Sequence, residues 1–102
     1  MNRVLLPPEE LNTALAALPG WSLDAGELTR TFRFTTYLEG AAFLTRVAEK
    51  AEALDHHPDL CLGWRKVTLR VQTHSAGGIT ALDIALAEAA DLLHGGEVSR
   101  HA

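Results

Sequence analysis

Apolar positions recur along the chain in two periods, and the changes of period divide it into seven elements. In "PPEELNTALAALPG", Leu11, Leu15 and Leu18 follow at spacings of four and three, one stripe of a helix. Pro7 and Pro8 suit its start, Glu9 and Glu10 sit favourably in a first turn, and Pro19-Gly20 stops it. "WSLD" reads as a short strand, "AGE" as a turn and "LTRTFRF" as a second strand. Leu28, Arg30, Phe32 and Phe34 share one side of that strand, and Thr29, Thr31 and Arg33 the other. From Thr36 to His57 the helical period returns. Leu38, Ala41, Ala42, Leu44, Val47, Ala48 and Ala51 make an apolar surface, extended by Phe43 and Leu54, that is wider than one stripe. Thr36 with Glu39 fits a capping box, and Pro58 ends the helix by biasing His57 away from helical geometry. "DLCLGW" is a third strand and "KVTLRVQTH" a fourth, with Val67, Leu69, Val71 and Thr73 on one face. After the loop "SAGG", "TALDIALAEAADLLHGG" is the last helix. Thr80 with Asp83 forms its capping box, Ile84, Leu86, Ala87, Ala90 and Leu93 its apolar side, and Gly95-Gly96 its end.

The order is therefore helix, strand, strand, helix, strand, strand, helix. Neither hairpin can bury an apolar face alone. The economical architecture is α+β: a single four-stranded antiparallel sheet with three helices packed on one face, in the order α-β-β-α-β-β-α. The other sheet face is left more polar and free to carry a site. The 102 residues predict one domain over 1–102, with a core of about 8–94 and a flexible tail over 95–102. Alanines on the long helix would let another helix approach closely, so part of its surface reads as sheet-facing core and part as a subunit contact.

Composition narrows the function classes. Apolar residues make up 47% of the chain, which marks a globular protein. A net charge of -4 argues against direct nucleic-acid binding, which needs a concentrated basic surface. Arg65, Lys66 and Arg70 cluster on one hairpin and read as a solvated face. The one cysteine, Cys61, permits no intrachain disulfide and no multi-cysteine zinc site, and reads as a small hydrophobe in a strand. There is no apolar run of 18 residues, and "MNRVLLPPEE" is too short in apolar residues for a secretory signal. The expectation is a cytoplasmic protein with no membrane contact.

Five histidines occur. His94 reads as a cation at a helix end and His101 as part of the tail. His56, His57 and His74 all lie at ends of elements, where a scaffold presents sites. Two chemistries compete for them. Three neutral imidazoles could hold zinc with one open position. Against that, adjacent histidines rarely point the same way, and no HExxH pattern is present. The rival is metal-free acid/base chemistry, since imidazole gives or takes a proton near neutrality. Glu52 sits one helical turn before His56 on the same face, and Asp55 is adjacent; a carboxylate in that position fixes an imidazole's tautomer. Trp21 and Trp64, each near a strand end, read either as packing or as a flat wall for a planar heterocycle.

Taken together, Glu52, His56, His57, Pro58, Trp64, His74 and Asp83, with three, five, nine and eight residues between the successive groups, resemble the signature of the pterin-4a-carbinolamine dehydratases. The flanks "GWSL", "RTFRF", "FLTRVAEKAEALDHHPDL" and "VQTHSAGGITALD" resemble that family too, so the likeness covers roughly Leu11 to Leu93. Leu60 stands where many members have an aromatic, Trp64 where tyrosine is frequent, and "AGGIT" has one more glycine than the common loop.

The resemblance implies the same four-strand, three-helix fold and a dehydratase. Its substrate is the 4a-hydroxytetrahydropterin left by a pterin-dependent aromatic amino acid hydroxylase, and its product the quinonoid dihydropterin. His56 and His74 match the family's general acids, His57 the histidine that positions substrate, and Glu52 the site carboxylate. Asp55, Pro58, Trp21, Trp64 and Asp83 match positions around the pterin, with Asp83 serving mainly as capping acid. No metal and no organic cofactor is implied. A homodimer or homotetramer and a functional link to a hydroxylase are. The alternative the family offers is a non-enzymatic coregulator module that stabilises a transcription factor's dimer.

Overall fold

The computed structural model describes residues 3–99, with side chains through Gly95. The elements are α1 (Pro8–Ala16), β1 (Ser22–Asp24), β2 (Glu27–Arg33), α2 (Tyr37–Leu54), β3 (Asp59–Gly63), β4 (Lys66–Val71), a 3-10 turn (His74–Ala76) and α3 (Ala81–Ser99). The strands form one antiparallel sheet in the order β1-β2-β4-β3. The predicted order of elements and the single sheet are both present.

The alternation of β2 and β4 decides which face is covered. Leu28 and Phe32 of β2 and Val67, Leu69 and Val71 of β4 are buried, while their alternates Thr31 and Lys66 are exposed. All three helices contribute to the buried side, through Leu11 and Leu15 of α1, Phe43, Val47 and Ala51 of α2, and Leu86, Ala87 and Ala90 of α3. On the uncovered face Thr31 and Thr68 pair by their hydroxyls at 3.0 Å. Arg70 donates there to Glu27 Oε1 at 3.0 Å and to Asp24 Oδ2 at 2.8 Å, which fastens the β1–β2 turn to β4. Those bonds, Asp24's first and Glu27's second, hold the Arg70 guanidinium above its ordinary pKa.

Four local expectations are corrected. α1 stops at Ala16, and Leu18 reaches the core from the turn beyond it, its N–H donating to Leu15 O at 3.0 Å. α2 ends at Leu54 rather than His57, because Asp55 turns left-handed before Pro58 acts. β4 ends at Val71, and Thr73 pairs beyond it only as an isolated bridge to Gly78. α3 runs through Gly95 and Gly96 to Ser99, since glycine lowers helix propensity without removing the N–H donor. His94 is consequently no helix end. Its ring meets Phe32, Phe34 and Phe43 edge-on at 5.1, 5.2 and 5.9 Å, and its Nε2–H donates to Arg33 O at 3.0 Å. It fastens α3 to the far end of β2. His101 lies outside the described residues, as do the other residues beyond Ser99.

The β1–β2 turn places Ala25 at φ 52 and Gly26 at φ 81. Two positive φ values make a primed turn, whose twist suits a two-residue hairpin. Alanine is a poor occupant of that region because its Cβ crowds the carbonyl. Ala25→Asn should therefore stabilise the fold by about 0.5–1 kcal/mol, read as a higher urea midpoint at an unchanged slope. A midpoint equal to the wild type's would show that the turn carries no such strain.

Candidate active site

The end of α2 is closed by two backbone bonds. His56 N–H donates to Ala51 O at 3.0 Å and Asp55 N–H to Glu52 O at 3.1 Å, the pair that defines a Schellman cap. Asp55 occupies the left-handed position of that cap, at φ 50 and ψ 46, where glycine is usual. The cap turns the chain sharply, so His56 leaves the helix and its ring reaches Asp83 in the first turn of α3. Pro58 then starts the chain into β3.

His56 is buried, at 7% exposure, and Asp83 is wholly buried. Their side chains meet at 2.6 Å, His56 Nε2 to Asp83 Oδ1. Because a buried carboxylate must satisfy several lone pairs, the remaining contacts of Asp83 are informative. Its Oδ2 accepts from Thr73 Oγ1 and from the Thr80 N–H, both at 2.8 Å. The Thr73 hydroxyl spends its proton on Asp83, so the Thr80 hydroxyl donates to Thr73 at 2.8 Å and accepts the Leu82 N–H at 3.3 Å. One carboxylate thus joins three pieces of chain: the loop after α2, the end of β4 and the first turn of α3. With Nε2 committed to Asp83, Nδ1 is the His56 nitrogen left for proton exchange.

Thr73 immediately precedes His74, so the same carboxylate seats the second histidine's loop. Thr73 N–H donates to Gly78 O at 2.8 Å, and Gly77 closes the 3-10 turn at φ 77. The two glycines of "AGG" have separate jobs. Gly77 supplies the left-handed residue, and a Cβ on Gly78 would stand 3.0 Å from Leu5 Cδ2. His74 itself is exposed. His57, also exposed, is paired through Nε2 with Glu52 Oε2.

The expected cluster is thereby rearranged. Glu52 serves His57 rather than His56, because the cap rotates His56 off the helix face that Glu52 occupies. Asp83 takes the place beside His56. Asp55 is turned outward, its carboxylate 3.9 Å from Arg3 Nη2. The two tryptophans are not brought to the histidines. Trp21 is 6% exposed, donates Nε1–H to Asp91 Oδ1 at 2.9 Å and abuts Phe32 at 5.8 Å, so neither ring face is open as a wall. Arg30 completes that contact, donating to the same Asp91 oxygen at 2.6 Å. Trp64 is 71% exposed and stacked by Arg65 at 4.3 Å. It follows the far end of β3, whose residues rise about 3.3 Å each, so the strand's whole length separates it from Pro58. Among the described residues no three His, Cys, Asp or Glu side chains are arranged to hold a metal ion.

The Thr80–Asp83 pairing that the capping-box spacing predicts is present, through the Thr80 N–H, whereas Thr73, which reads only as a strand residue, proves to be a further partner of Asp83. The available signal was Thr73 itself, a hydroxyl on an otherwise apolar strand face, which has to find a buried partner.

Comparison with known proteins fits this geometry. Residues 4–93 match the profile of the family described as "Pterin 4 alpha carbinolamine dehydratase". A Streptomyces coelicolor protein named "Putative pterin-4-alpha-carbinolamine dehydratase" is 50% identical over 92 residues, 89% of this chain and 91% of that one. The chain belongs to this family. Among solved structures, a "transcriptional coactivator/pterin dehydratase" from Brucella melitensis superposes with a TM-score of 0.83 at 36% identity, covering 91% of this chain and 99% of that one. A "pterin dehydratase-like protein" described as a RuBisCO assembly factor superposes with a TM-score of 0.60 at 25% identity, covering 74% and 87%. The pterin dehydratase fold thus appears under more than one described role. No described helix of this chain is long and apolar enough to cross a membrane.

Removing the carboxylate leaves the His56 ring, the Thr73 hydroxyl and the Thr80 N–H without their buried partner, each at about 1–3 kcal/mol, so Asp83→Ala should cost about 3–5 kcal/mol in urea unfolding. Asp83→Asn keeps the shape and one acceptor and should cost less. A loss for Asp83→Ala below about 1 kcal/mol, the worth of one ordinary hydrogen bond, would remove the carboxylate from its central place.

Proposed function

We propose that this protein is a 4a-hydroxytetrahydropterin dehydratase that works by histidine acid/base chemistry. The observation that carries the reading is the buried Asp83, which holds His56 and, through Thr73, seats the loop of His74. A carboxylate behind an imidazole sets which nitrogen bears the proton and fixes the ring, as in other acid/base sites.

The reaction needs little else. The C4a hydroxyl leaves poorly as hydroxide, so an imidazolium delivers a proton to its oxygen as the C–O bond breaks. The N5 lone pair forms the C4a=N5 double bond, water departs, and the N5 proton passes to a base. One proton is given and one taken back, so the net proton count is unchanged; exchange with solvent returns each imidazole to its starting protonation state, and no metal or organic cofactor is consumed or required. His56 and His74 are the residues for these transfers. His57, held by Glu52, positions the pterin.

The setting is recycling of the hydroxylated pterin released by an aromatic amino acid hydroxylase, in the cytoplasm, with the chain acting as a homo-oligomer. Leu38 on α2 and Leu92 on α3 are exposed and offer apolar contacts to a second copy. The same exposed residues favour one other reading, a partner-binding module, and the coactivator description of the Brucella relative keeps it in view.

The test is loss of the 4a-hydroxypterin absorbance in a hydroxylase-coupled reaction, against the spontaneous rate. The wild type should accelerate it. His74→Ala, at an exposed position where folding is not at stake, should lower that acceleration by about 10²- to 10⁴-fold, the usual worth of a general acid or base. Purified protein that adds nothing to the spontaneous rate sinks the enzymatic reading and leaves the binding module.

A further inference from the structure

The segment before α1 is not an idle lead-in. Leu6 N–H donates to Ile79 O at 3.0 Å, and Leu5 forms a β-bridge with Thr80. Leu5 also covers Gly78, the glycine that leaves room for it. These contacts lay the segment across the loop that follows His74 and against the residue whose N–H binds Asp83. Its other end reaches the opposite loop. Arg3 Nη2 donates to Asp55 O at 2.7 Å and stands 3.9 Å from the Asp55 carboxylate.

The Asp55 carbonyl belongs to the peptide that joins Asp55 to His56. That peptide is the one turned left-handed by the Schellman cap, in a conformation an aspartate does not favour. A guanidinium on its oxygen is a charge-assisted bond at the hinge from which His56 departs. We propose that the Arg3–Leu6 segment is a brace between the two histidine-bearing loops, and that Arg3 is a positioning residue for His56, acting through the Asp55 carbonyl.

Two braces then hold His56: Asp83 on its ring and Arg3 on its backbone. They are mechanically distinct. Asp83 fixes the ring nitrogen, whereas Arg3 limits how far the hinge peptide rocks and so how long the ring stays on Asp83. Its contribution falls on the chemical step, because the Arg3 guanidinium bonds to Asp55, whereas the pair assigned to holding the pterin, His57 and Glu52, bond to each other. The catalytic consequence rests on the dehydratase reading; the brace itself does not.

The experiment compares the wild type, Arg3→Ala and Arg3→Lys by amide hydrogen exchange and by dehydration kinetics. In Arg3→Ala the His56 amide, bonded to Ala51 O, should exchange about fivefold faster, the worth of one charge-assisted bond at a half-exposed site. Amides in the middle of α2 should be unchanged. kcat should fall by a similar factor with KM unmoved, and Arg3→Lys, which keeps a cationic donor, should recover part of both effects. A wild-type exchange rate for the His56 amide in Arg3→Ala overturns the brace, whatever the kinetics return. Faster exchange with an unchanged kcat overturns the positioning role. Faster His56 exchange in a protein whose wild type shows no dehydration supports the brace and rejects the dehydratase.

Discussion

A carboxylate with no exposed surface cannot remain charged in a protein unless its neighbours replace the water it has lost, and Asp83 is satisfied by His56, Thr73 and Thr80. Each of those partners comes from a different segment. The requirement that Asp83 be solvated by protein is therefore also a requirement that the end of α2, the end of β4 and the start of α3 meet. Fold and site share one constraint. The candidate site sits where the packing is least negotiable, because one oxygen of the Asp83 carboxylate accepts the Thr80 N–H at the start of α3 while the other holds the His56 imidazole.

The sheet makes this possible by being one-sided. β2 and β4, the two central strands, put every large apolar residue toward the helices and leave a face of threonines and charged residues to solvent. The helices are consequently all on one side. β4 delivers His74 to the same end of the sheet from which β3 departs after His56 and His57, since the two strands are antiparallel neighbours. Antiparallel pairing turns sequence neighbours of the strand ends into spatial neighbours. The β3–β4 turn, with Trp64 and Arg65, is sent by the same rule to the opposite end.

Much of this was legible in the sequence, for identifiable reasons. The strands and helices declare themselves because their periods differ and because each buried face is apolar. The Thr36–Glu39 box is present as its spacing predicts, each residue's side chain bonded to the other's amide. His56, His57 and His74 stood out because imidazoles at element ends are uncommon filler. What was not legible depended on backbone turns of a single residue. Nothing in "ALDHHP" announces that an aspartate will go left-handed, and that one torsion gives Glu52 to His57 and leaves His56 to Asp83. Trp21 illustrates the other limit: its indole found Asp91, on a helix some 70 residues later in the chain, a pairing that no local pattern encodes.

Both ends of α2 are fixed, by the Thr36–Glu39 box at one and by the Schellman cap at the other, with 18 residues between. The helix therefore acts as a gauge. Each residue advances the chain about 1.5 Å and rotates it about 100°. One residue inserted or deleted anywhere along α2 would turn His56 through more than a right angle relative to Asp83, even if the apolar face repacked. Length drift in related chains should thus collect at the β1–β2 and β3–β4 turns, while the count of residues from Thr36 to His56 stays constant.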